Sequence, residues 1–237
     1  MTAPAVAAAE LALRHVVLGL PLRALTRLQV EGREHVPRTG PVIIASNHLS
    51  FMDSMVIPVA AGRPVRFIAK AEYWQGSGLK GRAMKAWFTT FGAVPVQRDD
   101  PRAAMQSLVD AEAVLREGDA FCIYPEGTRS RDGRLHKGRT GVGRLAVNTG
   151  APVIPCAITG TDKVQGPDES GLRPAKVIVR FGPPVEASAF AATHEKAALL
   201  RAVTDSVMDT IAQLGGQETS GRYASDVNAE IARRRAL

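Results

Sequence analysis

"PVIIASNHLSFMDS", residues 41–54, decides the architecture of this 237-residue chain. Its "VIIAS", residues 42–46, is an unbroken apolar run without alternation, the pattern of a strand covered on both faces. At once the chain places Asn47, His48 and Ser50, and then Asp53 inside "SFMDSMVIPVAAG", which reads as a helix with Ser50 as N-cap. Strand, polar turn and helix in that order open a parallel α/β sheet, whose ligands bind beyond the carboxyl ends of strands.

Working outward, the same alternation continues. "VRFIAKA" and "AVPV" read as strands, separated by a helix over "LKGRAMKAWFTTFG" that carries Lys80, Arg82 and Lys85. "DDPRAAMQSLVDAEAVLREGD" is a helix capped by Asp100, with Pro101 in its first turn and Gly118 at its end. "AFCIYPEG" is a buried strand entering a glycine turn, and "GRTGVGRLAVNTG" a helix closed by Gly150. "PVIPCAI" and "AKVIVRFG" are strands, and "HEKAALLRAVTDSVMDTIAQL" is the last long helix. The predicted fold is α/β: a central, mostly parallel mixed sheet sandwiched by helices, with an N-terminal amphipathic helix. Residues 1–30 form that helix, 31–214 the α/β domain and 215–237 a peripheral tail.

Composition narrows the function. Apolar residues make up 45% and charged residues 22%, as in a folded globular chain. Net charge is +7, which favours anionic partners such as phosphate, anionic headgroups or nucleic acid. Aromatic residues are only 5%, too few to supply stacking platforms for single-stranded nucleic acid. Cys122 and Cys156 both sit in apolar strand-like runs, which reads as buried reduced thiols and a cytosolic redox compartment.

The N-terminal stretch is interrupted by Glu10, Arg14, His15, Arg23 and Arg27, so it falls short of the roughly 20 apolar residues of a membrane span. It fits no signal peptide either. Leu11, Leu18, Leu22, Leu25 and Leu28 recur at helical spacing, which suits a helix lying on a bilayer and equally a helix packed on the domain's own core.

Three polar clusters follow strands. His48 and Asp53 are five residues apart; on a continuous helix that is about 500° of rotation, which would separate them. If the helix begins at Ser50, His48 can fold back onto Asp53, and a carboxylate on one ring nitrogen makes the other a general base. The same spacing suits a capping box between Ser50 and Asp53, with His48 a polar loop residue. The second cluster, "YPEGTRSRDGRLHKGRTG", sets six basic residues against two acidic ones over residues 126–144. Guanidinium forks match phosphate oxygens, and a glycine turn lets backbone N–H groups approach an anion. A solvated basic loop reads the same way. The third, Arg98 beside Asp99 and Asp100, is a weak signal alone. The spacing of His48, Asp53 and His136 fits no metal motif.

Taken together these residues resemble the glycerolipid acyltransferase family, which includes the 1-acyl-glycerol-3-phosphate acyltransferases. "NHLSFMD" fits N-H-x-S-x-x-D, "EGTRS" fits the family's third block, and "VIPCAI" fits its hydrophobic-Pro fourth block through Pro155. The second block matches at Gly92 and Arg98, with Pro95 and Gln97 where an aromatic or aliphatic residue and an Asp are usual.

The resemblance implies acyl transfer from a thioester, acyl-CoA or acyl-carrier protein, to the hydroxyl of 1-acyl-glycerol 3-phosphate (lysophosphatidate), with no cofactor. It makes His48 the base and Asp53 its orienting carboxylate. Arg98, Glu126, Gly127 and Arg129 would hold the glycerol phosphate, Asn47, Ser50 and Thr128 would also touch substrate, and Pro155 would shape a pocket. Glycerol 3-phosphate, another lysophospholipid or a glycolipid are alternative acceptors. A basic, non-catalytic protein docking on anionic membranes is the reading from a different class. A lipid substrate places the chain peripherally at the cytoplasmic face of the cell membrane.

Overall fold

The computed structural model of the chain describes residues 19–70, 76–78, 81–82, 85, 88, 93–96, 101–169, 171–191 and 195–235. The chain enters through helix α1 (Gly19–Thr26), strand β1 (Gln29–Glu31) and a 3-10 turn at Arg33–His35. Strand β2 (Val42–Ser46), helix α2 (Asp53–Ala61), β3 (Val65–Lys70) and β4 (Val94–Val96) follow. Next come α3 (Pro101–Arg116), β5 (Ala120–Ile123), α4 (Gly141–Thr149), β6 (Val153–Thr159) and the short α5 (Thr161–Val164). β7 (Ile178–Phe181), α6 (Ser188–Ala191), α7 (Lys196–Gly215) and α8 (Ala224–Arg235) complete it.

Among the described residues the strands form one seven-stranded sheet in the order β1-β7-β6-β2-β5-β3-β4. Every neighbouring pair is parallel except β6–β7. β2 lies between β5 and β6 and is buried along its whole length, as its unbroken apolar run requires. Side chains alternate across the sheet, so Val42 and Ile44 join one core with α1 and α2, while Ile43 and Ala45 join another with α3, α4 and α7. Helices on both faces of a mostly parallel sheet are the α/β sandwich expected from the alternation. β5, β2 and β6 run the same way, so the turns after Ile123, Ser46 and Thr159 open on one rim.

Several local readings change. Helix α2 begins at Asp53 rather than Ser50, because Ser50 Oγ accepts from Met52 N–H at 3.2 Å and residues 50–52 make a turn instead of a first helical turn. Of the expected N-terminal helix of residues 1–30, residues 1–18 lie outside the described residues; the rest is helical over Gly19–Thr26 and stops at Arg27, whose φ of 41° is left-handed, and Gln29–Glu31 pairs with β7. Leu22 is buried in the core, and Leu25 and Leu28 pack against it, so this part of the leucine stripe covers the protein. Leu11 and Leu18 lie outside the described residues, as do Lys80, Gly92, Arg98 and the expected Asp100 cap. Of the helix expected over 79–92, the described residues Gly81, Arg82, Lys85 and Phe88 are helical. The segment read as a peripheral tail folds back: Leu135 N–H donates to Glu218 O, Ser220 N–H to Leu135 O and Lys137 N–H to Arg222 O, and α8 follows.

Candidate active site

The strand–turn–helix unit closes on itself through one carboxylate oxygen. Asp53 Oδ2 accepts from His48 Nδ1 at 2.8 Å and from the backbone N–H groups of Leu49 at 2.7 Å and Ser50 at 2.9 Å. Asp53 is 0% exposed and His48 8%. A carboxylate only accepts, so Nδ1 carries the ring hydrogen and the basic lone pair falls on Nε2. Half a capping box and the His–Asp pair therefore coexist: Asp53 reaches back to Ser50 N–H, and the imidazole shares the same oxygen.

The ring is held from a second side. Tyr124, at the end of β5, stacks on His48 with centroids 3.8 Å apart and planes 11° from parallel. Its hydroxyl meets Ser54 Oγ at 2.8 Å, and burial pushes the phenol pKa well up, so it stays neutral. The backbone is fixed too: Ser130 N–H donates to His48 O at 2.8 Å, and His48 N–H to Glu126 Oε1 at 3.0 Å. The loops after β2 and β5 thus form one unit. His48, Tyr124, Pro125, Gly127, Arg139 and Thr140 line a cleft of about 300 Å³ whose other wall includes Ile68, Leu108 and Ile123. The lining thus combines an imidazole, a guanidinium and hydroxyls with aliphatic side chains.

Four side chains expected to touch substrate are placed otherwise. Asn47 is committed to the sheet: its Oδ1 accepts from Ile158 N–H at 2.7 Å, while Nδ2 donates to Ile158 O at 2.9 Å and Gln217 Oε1 at 2.5 Å. Ser50 Oγ donates to Gln165 O at 2.8 Å and is fully buried. Glu126, 1% exposed, bridges two backbones, accepting His48 N–H on Oε1 and His136 N–H on Oε2 at 2.9 Å. Pro155 is buried in β6 opposite Ala45, three residues before Ile158 and so roughly 10 Å down the strand from that contact. These residues build the frame. Gly127, exposed with φ 78°, and Arg129, half-buried with Nη1 donating to Pro167 O at 3.2 Å, remain at the rim; Thr128 between them is half-buried.

Tyr124, Gln165 and Gln217 were not singled out from sequence, and Arg139 was read only as one of the basic residues of the second cluster. Each acts across a long separation, and only the "YPEG" context of Tyr124 offered a local signal. Neither cysteine has a nucleophile's environment: both are buried, and burial pushes the Cys156 thiol up to about 12 and that of Cys122 well up.

A protein-family model described as Acyltransferase matches residues 27–159. The chain belongs to this acyltransferase family. The matched span runs from the end of α1 to the end of β6 and holds both the His48–Asp53 pair and the 126–129 turn. The chloroplastic 1-acyl-sn-glycerol-3-phosphate acyltransferase of Arabidopsis thaliana is 32% identical over 148 residues, 62% of this chain and 40% of that protein. The enzyme of that name from Limnanthes douglasii is 30% identical over 171 residues, covering 71% and 56%. That from Borreliella burgdorferi is 30% identical over 136 residues, covering 57% and 52%. The chain thus spans about half the length of these curated relatives. Among solved structures, the 1-acyl-sn-glycerophosphate acyltransferase of Thermotoga maritima aligns with a TM-score of 0.63 at 27% identity, over 85% of this chain and 80% of that one. This acyltransferase fold therefore carries its His–Asp turn where a parallel sheet presents ligand sites.

Proposed function

We propose that this acyltransferase moves a fatty acyl group from a thioester, acyl-CoA or acyl-carrier protein, to the free hydroxyl of 1-acyl-glycerol 3-phosphate, giving phosphatidate. The observation that carries the reading is the 2.8 Å bond from His48 Nδ1 to Asp53 Oδ2 beside a cleft lined by Arg139 and Gly127. In this reading His48 Nε2 takes the proton of the acceptor hydroxyl as its oxygen attacks the thioester carbonyl. The tetrahedral intermediate collapses, the C–S bond breaks, and the imidazolium returns the proton to the departing thiolate. Asp53 orients the ring and stabilises its charged form, and Arg129, with Gly127, Thr128 and Arg98, holds the glycerol phosphate. The aliphatic wall of Ile68, Leu108 and Ile123 offers an acyl chain a place outside water.

The reading includes peripheral work at the cytoplasmic face of the cell membrane. No helix among the described residues is long and apolar enough to cross a bilayer, and Arg82 and Lys85 are exposed. One assay tests both parts: purified protein, palmitoyl-CoA, and a panel of acceptors presented in anionic vesicles. Release of free thiol should depend on lysophosphatidate and exceed that with glycerol 3-phosphate or a neutral monoacylglycerol, and the protein should sediment with the vesicles. Equal rates across the panel would remove the acceptor assignment; turnover by protein that stays in the supernatant would remove the membrane one.

A further inference from the structure

The six basic side chains of residues 126–144 are not equivalent once folded. Arg131 pairs with Asp168 at 3.2 Å, Arg134 with Glu218 at 2.6 Å and Arg144 with Glu112 at 3.6 Å. Arg129 lies in the field of the Asp168 carboxylate, while Lys137 and Arg139 have no carboxylate within ion-pair distance among the described residues. Arg129 belongs to the turn already discussed. The other two converge on one ring: Arg139 Cζ stands 5.1 Å, and Lys137 Nζ 5.5 Å, from the centroid of Tyr223. Both cations lie within cation–π reach of the same ring, which holds two positive charges beside the glycine turn, where an anion would be attracted.

Tyr223 is well placed to keep them there. Its segment is anchored by Lys137 N–H to Arg222 O at 2.8 Å and by Asn228 Nδ2 to Arg129 O at 2.8 Å. Arg139 Nη2 donates to Ser225 Oγ at 3.0 Å, fixing the guanidinium from the same segment. A Cβ on Gly127 would lie 3.2 Å from Arg139 Nε, so the arginine stem runs against the glycine turn. Arg139 also lines the cleft that holds His48. A cation fixed on three sides, unpaired, and on the wall of the reacting cleft is preorganised for a ligand's charge.

We propose that Arg139, with Lys137 beside it, is an additional contact for the acceptor's phosphate, and that Tyr223 is the positioning residue that holds both cations at the mouth of the cleft. The inference rests on the acyl-transfer reading above. It gives residues 217–228 a functional role: they back the loop that carries both cations, and the tyrosine acts through its ring face and not its hydroxyl.

Steady-state kinetics at low salt, with palmitoyl-CoA and lysophosphatidate, test it on the full chain. Tyr223→Leu should raise KM for lysophosphatidate about three- to tenfold, with kcat and KM for palmitoyl-CoA within about twofold. Tyr223→Phe, which keeps the ring face, should behave as wild type. An unchanged lysophosphatidate KM in Tyr223→Leu, an equal rise for palmitoyl-CoA, or a Phe variant as weak as the Leu variant would each overturn the proposal. If Tyr223→Leu does not fold, Arg139→Gln carries the test: KM should rise more for lysophosphatidate than for palmitoyl-CoA, and an equal effect on both overturns it. Wild-type protein without lysophosphatidate-dependent turnover would instead sink the acyl-transfer reading itself.

Discussion

Glu126 ties together two segments that the sheet leaves apart, one carboxylate oxygen on His48 N–H and the other on His136 N–H. Burial pushes its pKa from 4.5 up to about 7, against the pull of those two N–H groups. The folded chain therefore binds this proton more tightly than the unfolded chain. The linked stability is fully present below 4.5 and is lost as pH rises through about 7, on the order of 3 kcal/mol in all. Glu126→Gln removes that titration, so the stability advantage of wild type over the variant should shrink by about that amount across the window. Urea unfolding of both proteins at about pH 4.5 and about pH 8 measures it, and parallel pH profiles would contradict it. At this scale the sequence is read most easily where partners are close in the chain. His48 and Asp53 lie within one turn, so their spacing alone raised the pairing. The clamp of Asn47 on Ile158 and Gln217 spans 111 and 170 residues, and motif reading assigned that amide to substrate instead.

Helices α4 and α7 approach through glycine. A Cβ on Gly143 would lie 2.3 Å from Leu200 O and 2.9 Å from Thr204 Oγ1, and one on Gly138 would meet Met208 Cγ at 2.7 Å. A carbonyl on the facing helix cannot swing aside as a side-chain tip can. Gly143→Ala should therefore lower stability by about 1–3 kcal/mol despite its better helix propensity, as urea unfolding would show. An unchanged or higher midpoint would mean that the two helices separate without cost. Elements themselves were readable in proportion to their burial pattern: "VIIAS", "AFCI" and "VIPCAIT" are strands as expected. β1 was not, because three residues with exposed ends carry no apolar signature and acquire strand geometry only by pairing with β7. α8 escaped for the same reason: its polar sequence buries just Ala224 and Val227.

The whole molecule explains why residues 48, 126 and 139 share one site. Parallel neighbours β5, β2 and β6 send their carboxyl ends to a common rim, and the chain's return through residues 217–228 closes that rim from outside. Alternation of strands and helices made the rim legible, since parallel order follows from crossover helices. The returning segment was not, because its hold on the loop at 126–139 joins residues roughly 80 to 100 positions apart, by three backbone hydrogen bonds and by side chains such as Ser220 on His136 and Asn228 on Arg129 O, which no local pattern announces. The central claim is that an imidazole oriented by a buried carboxylate removes the acceptor's proton directly. His48→Ala tests it most plainly, with turnover of palmitoyl-CoA and lysophosphatidate and equilibrium binding of palmitoyl-CoA measured on the same preparation. The account predicts a turnover loss of about 10³-fold with palmitoyl-CoA binding within about twofold of wild type. A variant that keeps most of its turnover would contradict it, and so would one that loses palmitoyl-CoA binding together with activity.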